Sequence, residues 1–101
     1  MAELNLITCV VQRGRDKEII SAAINAGAEG ATYYRGQGTG GRQKLGSVLS
    51  ELIDPEKDII TFIVDEAITD AVFDAVYAAG LLAKVGRGVV YVHKLDRVAG
   101  I

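Results

Sequence analysis

The order of predicted elements repeats along this chain of 101 residues, and that repeat constrains the fold more than any other feature. In each half, a strand-length apolar stretch is followed by a helix and then by a second strand. The predicted segments are strand 4–12, helix 16–26 and strand 31–34, then strand 59–64, a helix with apolar positions from 68 to 79, and strand 89–92. Both helices close at an Ala-Gly pair. This βαββαβ order predicts an α+β, ferredoxin-like fold.

The two helices are predicted from the spacing of their apolar residues and from their ends. In the first, Ile20, Ala23 and Ile24 recur at three- and four-residue spacing, and Asp16 is a candidate N-cap. The apolar positions of the second are Ile68, Ala71, Val72, Ala75, Val76 and Ala79. We expect both helices on one face of a four-stranded antiparallel sheet with strand order 4-1-3-2. The other face is also apolar, so we expect other copies of the chain to cover it.

Composition narrows the class of protein. The length suits a single domain over residues 1–101, and a net charge of −2 with a pI near 5.3 argues against nucleic acid as a partner. No apolar run is long enough to span a bilayer and no secretory signal is visible, so a cytoplasmic location is expected. The lone Cys9 is predicted to be buried in a strand core, and the single His93 has no partner at ligand spacing.

Positive charge and glycine collect in three segments, residues 12–15, 35–44 and 84–88. These hold seven of the eleven Lys and Arg residues, and no Asp or Glu occurs within 30–50 or 75–95. In the predicted topology the three segments meet at one end of the sheet. Glycines let backbone N–H groups turn toward phosphate oxygens while Arg and Lys supply charge, so this end is predicted to bind an anion such as a nucleotide phosphate. A merely flexible, solvated loop is the alternative for the glycine-rich part.

The sequence favours no catalytic site. No nucleophile, base and orienting residue form a set, and the acidic residues of the second helix are predicted to be a solvated polar face, namely Asp65, Glu66, Asp70 and Asp74. The glycine loop is neither a Walker loop nor a Rossmann fingerprint. Within the long connection, Leu45, Val48, Leu49 and Leu52 predict a short amphipathic turn. That turn either packs on the protein's own surface or is offered to a partner.

With these elements in place, the chain resembles the PII signalling superfamily, and its short PII-like members most closely. The most specific match is Lys-Val-Gly-Arg-Gly at 84–88 with the strand after it, which looks like the family's B-loop, where Gly-Lys-Ile-Gly-Asp-Gly-Lys is typical. Further likeness lies in Leu-Ile-Thr-Cys-Val-Val at 6–11, Gly27 with Gly-Ala-Thr at 30–32, Gly-Gln-Gly at 36–38 and Leu-Asp-Arg-Val at 95–98. The resemblance covers nearly the whole chain.

The resemblance implies a non-catalytic regulator that forms a homotrimer and binds adenine nucleotides (AMP, ADP or ATP) in the clefts between subunits. It implies a T-loop at about 37–55 and a B-loop at about 83–88, with nucleotide state changing the surface shown to a target such as a membrane transporter or an enzyme. Carried over residue by residue, the nucleotide-binding positions are Gly36, Gln37, Gly38, Thr39, Ile63, Lys84, Val85, Gly86, Arg87 and Gly88. Ile63 would be the adenine wall and the basic loop would hold the phosphates. No catalytic or metal-binding residue is implied.

The sequence also departs from the family's pattern. The predicted T-loop is short and has no tyrosine, so uridylylation is not expected. Arg87 stands at an aspartate position and Val89 at a lysine position, which favours AMP or ADP over a firmly held triphosphate. Bicarbonate, 2-oxoglutarate and Mg²⁺ as additional ligands are left open. Two other classes stay as alternatives: a metal-tolerance trimer of the CutA fold, and an enzyme that uses the glycine loop for phosphate chemistry.

Overall fold

The computed structural model describes residues 3–37, 56–84 and 86–100. The described elements are β1 (Leu4–Gln12), α1 (Asp16–Asn25), β2 (Thr32–Gln37), β3 (Glu56–Asp65), α2 (Glu66–Ala79) and β4 (Gly88–Leu95). The strands form one sheet in the order β2-β3-β1-β4, and every neighbouring pair is antiparallel. The predicted fold class, element order and strand order are therefore confirmed.

The pairing of β1 with β3 sets which side chains face the helices. Ile7 lies opposite Phe62 and Cys9 opposite Ile60, and these four side chains are fully or almost fully buried. Because side chains alternate along a strand, their neighbours in sequence lie on the other face of the sheet. The helix side is the hydrophobic core, which adds Ile19, Ala23, Val72 and Val76 from the two helices.

The opposite face of the sheet, called the open face below, is apolar and partly exposed. It carries Leu6, Val10, Ile59, Ile63, Val89 and Tyr91, and the exposed fractions of Ile63, Val89 and Tyr91 are 46%, 51% and 47%. Such a row of exposed β-branched and aromatic side chains is unusual for a surface that stays in water. The prediction that both sheet faces are apolar is thus confirmed at the level of one chain.

Several details of the predicted elements were wrong. The buried stripe of α1 is Ile19 and Ala23, with Ile20 partly buried, whereas Ile24 is 48% exposed. Asp16 is the first helical residue and does not cap α1, because the N-cap position is Arg15 and its side chain makes no capping hydrogen bond. β2 is longer than predicted and takes in Gly36 and Gln37. The predicted turn at 45–52 lies outside the described residues.

Polar groups in the core have partners. Asp65 caps α2 by accepting a hydrogen bond from the backbone N–H of Ala67 at 2.9 Å. The Asn5 side-chain amide donates to the Thr69 hydroxyl at 2.9 Å, and that hydroxyl donates to the Asp65 carbonyl.

Burial raises the pKa of the Cys9 thiol to about 12, so Cys9 stays protonated near neutral pH. His93, expected in a strand interior, is exposed on the open face of β4.

Each helix ends in a turn with a left-handed residue, but the two helices fill that position differently. After α1 the position belongs to Gly27 at φ 122°, and the Ala28 N–H bonds back to the Ala23 carbonyl. After α2 it belongs to Leu81 at φ 56°, and the Leu82 N–H bonds back to the Tyr77 carbonyl. The glycine expected to end α2, Gly80, has an ordinary φ of −79°. Leu81 is therefore strained, since a Cβ disfavours the left-handed region.

Replacing Leu81 by glycine is expected to stabilise the protein. The left-handed strain is relieved, while the loss of a side chain that is only 36% exposed and the extra freedom of glycine in the unfolded chain offset most of the gain. The free energy of unfolding should rise by about 0.5 kcal/mol in a urea titration. The control is Gly80→Ala, where a Cβ would lie 3.1 Å from Leu82 Cγ and no gain is expected. An unchanged or lower stability of Leu81→Gly would contradict the assignment of strain.

Candidate functional site

The three basic segments meet, in their described parts, at one end of the sheet. Gln12, at the end of β1, lies opposite Lys57 of β3, which in turn lies opposite Gly36 of β2. On the other side of β1, Val11 lies opposite Gly88 of β4, and the Gln12 N–H donates to the Arg87 carbonyl at 3.4 Å. Adjacent strands are about 4.8 Å apart, so the turns after β1 and before β4 flank the ends of β2 and β3. We call this region the basic end of the sheet.

Arg15 ties the turn after β1 to the end of α2. Its guanidinium donates to the carbonyl of Ala79, one of the last carbonyls of that helix. A cation is favourable there, because the C-terminal carbonyls of a helix carry partial negative charge. The Arg15 Nε is buried and has no hydrogen-bond partner among the described residues. Arg15 thus holds the β1–α1 turn next to the turn that follows α2.

A buried carboxylate organises the other side of the basic end. Asp58 of β3 is fully buried and accepts hydrogen bonds from the Gly14 N–H at 3.2 Å and the Tyr33 hydroxyl at 2.9 Å. The Arg35 Nε lies 3.4 Å from the same carboxylate and donates to the Tyr33 hydroxyl at 3.1 Å. A buried carboxylate is stable only with such partners. Asp58 therefore fixes the Gly14 turn against the end of β2.

Two arginines at this end share an exposed carboxylate as well. Arg13 Nη1 and Arg35 Nη1 lie 3.7 and 3.8 Å from the same oxygen of Glu56, the first residue of β3. Hydrogen bonding to Tyr33, and after it the charges of Asp58 and Glu56, raise the pKa of Arg35, so its guanidinium stays charged. Lys84 and Arg87 have no carboxylate within ion-pair distance in the described part of the chain. The basic end is thus only partly neutralised.

Of the ten predicted nucleotide-binding residues, six are at the basic end. Gly36 and Gln37 are the last residues of β2, and Lys84, Gly86 and Arg87 belong to the turn between α2 and β4. Gly88 begins β4 beside them. Gly38, Thr39 and Val85 lie outside the described residues.

Gly86, in the turn before β4, and Gly88, the first residue of β4, favour glycine for different physical reasons. Gly86 has φ 86° with open space around the position of a Cβ, so its backbone conformation alone favours glycine. Gly88 has φ 143°, and a Cβ there would lie 2.1 Å from the Val10 carbonyl oxygen. Gly88 is thus required by the close approach of β4 to β1, whether or not it contacts a ligand.

Ile63, the predicted adenine wall, lies elsewhere on the chain. It is six residues along β3 from Lys57, which is about 20 Å at the rise of a strand. There it lines a cleft of about 580 Å³ on the far end of the sheet, together with Leu6, Gly30 and Thr32. Within one protomer the structure does not bring Ile63 together with the basic end.

Three residues of the basic end were missed in the sequence: Tyr33, Glu56 and Asp58. The signal for Asp58 was present, because it precedes Ile60, Phe62 and Val64 at two-residue spacing and so shares their buried face. A charged residue at a buried strand position requires partners. The partners themselves come from β2 and from the turn after β1, and no local pattern identifies them.

The fold and this end define a small α+β domain of ferredoxin-like topology, with glycine-containing basic turns collected at one end of an antiparallel sheet. The sequence matches the family model of "Nitrogen regulatory protein P-II" over residues 4–101, and the chain belongs to that family. No curated protein sequence gives a significant match. Among solved structures, Arabidopsis thaliana PII bound to citrate is similar in fold, with a TM-score of 0.68 and 15% identity over 90% of this chain and 76% of that one.

Proteins of the P-II family are regulatory, and membership of this family supports a regulatory role for this chain. Because the family match covers both halves of the repeat and every described strand, it favours this class over a metal-tolerance trimer of the CutA fold. Neither described helix combines the length and apolar content needed to cross a membrane.

Removing the Asp58 carboxylate is expected to destabilise the fold. In Asp58→Ala, the Gly14 N–H and the Tyr33 hydroxyl lose their partner, and the free energy of unfolding should fall by about 3 kcal/mol. Tyr33→Phe removes the hydrogen bond that Tyr33 donates to Asp58 and the one that it accepts from Arg35, and should cost about 1 to 2 kcal/mol. The matched control is Glu56→Ala, whose exposed carboxylate should matter by no more than about 0.5 kcal/mol. Equal losses for Asp58→Ala and Glu56→Ala in urea unfolding would contradict this role of Asp58.

Proposed function

We propose that this protein is a regulator that senses adenine nucleotides (AMP, ADP or ATP) at clefts between the subunits of a homotrimer and controls a target protein through residues 37–55. The observation that carries the proposal is the meeting of the basic, glycine-containing turns at one end of the sheet.

The phosphate part of the proposal rests on the turn between α2 and β4. Lys84 is exposed and Arg87 is half-buried, and neither has a carboxylate partner among the described residues. Gly86 between them keeps the backbone open to an approaching ligand. Charged and forked donors next to an accessible backbone suit the oxygens of a phosphate. Lys84, Gly86 and Arg87 are therefore proposed as phosphate contacts, with Val85 between them.

The adenine part rests on the apolar cleft at Ile63, which is of a size typical of small-molecule sites. Because that cleft and the basic end lie at opposite ends of one sheet, a nucleotide that uses both must draw on two protomers. The exposed apolar open face supports this arrangement, since packing three such faces together removes Ile63, Val89 and Tyr91 from water. A site between subunits then forms only in the assembled protein.

The regulatory part rests on where the long connection is attached. Residues 38–55 follow Gln37 and precede Glu56, so both ends of this connection join the sheet at the end that carries the proposed phosphate contacts. A ligand that binds differently in two states of this connection shifts their populations, and with them the surface shown to a target. A membrane transporter or an enzyme is proposed as that target, and bicarbonate or 2-oxoglutarate as a second metabolite. A phosphate-handling enzyme is the alternative.

The homotrimer is expected to appear in solution at three times 10.7 kDa, or about 32 kDa, by size-exclusion chromatography with light scattering. Tyr91→Asp places a charge in the middle of the open face and should shift the protein to a monomer. The control is Ile24→Asp on α1, because Ile24 has nearly the same exposed fraction but lies on the helix side. A monomeric wild type, or a trimer that only Ile24→Asp disrupts, would refute assembly through the open face.

Nucleotide binding is tested by calorimetric titration of the full chain with AMP, ADP and ATP, each with and without bicarbonate and 2-oxoglutarate. At least one nucleotide should bind below millimolar concentration. Arg87→Ala should weaken binding by roughly 1.5–3 kcal/mol if the contact is charge-assisted. Lys94→Ala, which removes one positive charge near the opposite end of the sheet, is the control and should change little.

The same titration separates the proposed regulator from its alternatives. If no adenine nucleotide binds below millimolar concentration, nucleotide sensing is wrong. A phosphate-release assay run in parallel tests the enzyme alternative, because a sensor should release phosphate only at the background rate. Unchanged affinity in Arg87→Ala would remove Arg87 from the site without touching the rest of the proposal.

A further inference from the structure

Among the described residues, two carboxylates at the basic end contact its arginines in different ways. Asp58 is fully buried, and its carboxylate accepts hydrogen bonds of 2.9 and 3.2 Å from two other parts of the chain. Glu56 is 37% exposed, and its contacts with Arg13 and Arg35 are 3.7 and 3.8 Å. The first is a fixed counterion. The contacts of Glu56 with these two arginines are long and lie in partial contact with water, where an ion pair is weak and easily exchanged.

We propose that Glu56 is an internal competitor for the anion that binds at the basic end. Its carboxylate lies between the two guanidiniums that a phosphate oxygen would contact, and it makes the same kind of interaction with them. A phosphate replaces the carboxylate on Arg13 and Arg35, and Glu56 turns toward solvent. This inference rests on the proposed function, because it concerns an anion at the same end of the sheet.

The competition has a consequence for selectivity. A monovalent anion offers Arg13 and Arg35 no more charge than Glu56 already provides, so it gains little by exchange. A phosphate group carries more charge and more acceptor oxygens, and it can bridge two guanidiniums. Glu56 therefore favours phosphate compounds over chloride or simple carboxylates at these two arginines. Asp58 keeps the Gly14 turn and Arg35 in position throughout, because its own partners do not change.

The exchange takes place where the long connection joins the sheet. Glu56 lies opposite Gln37, in the last residue pair between β2 and β3. The carboxylate that an anion displaces is thus attached to the residue at which the chain returns from 38–55. Occupancy of the two arginines and the state of this junction are coupled through one side chain.

The test uses inorganic tripolyphosphate as the probe, titrated calorimetrically into the full-length chain at low salt. Glu56→Gln keeps the shape of the side chain and removes its charge, so binding should tighten about 5-fold. The matched control is Asp70→Asn, an exposed carboxylate on α2, which changes the net charge equally and should alter the dissociation constant less than about 2-fold. On an Arg35→Ala background, Glu56→Gln should gain clearly less.

An affinity within 2-fold of wild type in Glu56→Gln, or weaker binding, would overturn the proposal, since Glu56 would then be neutral or would support the anion. So would a failure of tripolyphosphate to bind both wild type and Glu56→Gln. The proposed function fails separately: if tripolyphosphate binds and responds to Glu56→Gln while adenine nucleotides bind no better than tripolyphosphate, competition holds and adenine sensing does not. Thermal unfolding of Glu56→Gln close to wild type excludes a folding defect as the cause of any change.

Discussion

The nine-residue pairing of β1 with β3 is the constraint on which the rest of this structure depends. It runs from Leu4 opposite Asp65 to Gln12 opposite Lys57, and each strand has a further strand on its outer side. A shift of one residue would move Ile60 and Phe62 out of the core and onto the open face. The same register places Asp58 opposite Val11, at the point where β1 ends and the basic turns begin. Core packing and the geometry of the candidate site thus depend on one set of backbone hydrogen bonds.

One face of the sheet is covered by the two helices of the chain, and the other face is partly exposed. Two helices cover Ile7, Cys9, Ile60 and Phe62 completely, while the open face leaves apolar residues about half exposed. A chain of this size gains only a small net stability from its own core, so leaving such a surface in water would be costly. Burying it against further copies would add to the stability of each protomer. Assembly through this face would also affect the cleft, because Ile63 belongs both to the open face and to the lining of the cleft.

A structural feature could be predicted from the sequence when it depends on residues that are close together along the chain. Strand and helix order follow from local periodicity, and β1 was predicted over its observed bounds. The buried stripe of α1 was misplaced by one position, because Ile19, Ile20, Ala23 and Ile24 are all apolar and only packing against α2 decides which face is buried. The left-handed residue after α2 is Leu81 although Gly80 stands next to it, and local preference alone would have selected the glycine.

The same distinction explains what was seen and missed at the candidate site. Counting charges along the chain located the basic end, because positive residues cluster in three segments and topology brings those segments together. It overstated the positive charge there, because Glu56 and Asp58 lie just outside the acid-free stretch of sequence and yet fold back among the arginines. One of these carboxylates is needed to hold the turns in place, and a buried carboxylate without its partners would not be tolerated.

The contacts of the other carboxylate with Arg13 and Arg35 are long and partly exposed, so these two ion pairs add little to the stability of the fold. A carboxylate set between two arginines instead affects whatever else those arginines bind. In the proposed competition, Asp58 positions the site and Glu56 influences its occupancy by an anion. Both roles depend on Arg35, which contacts both carboxylates and belongs to the strand that leads into the long connection.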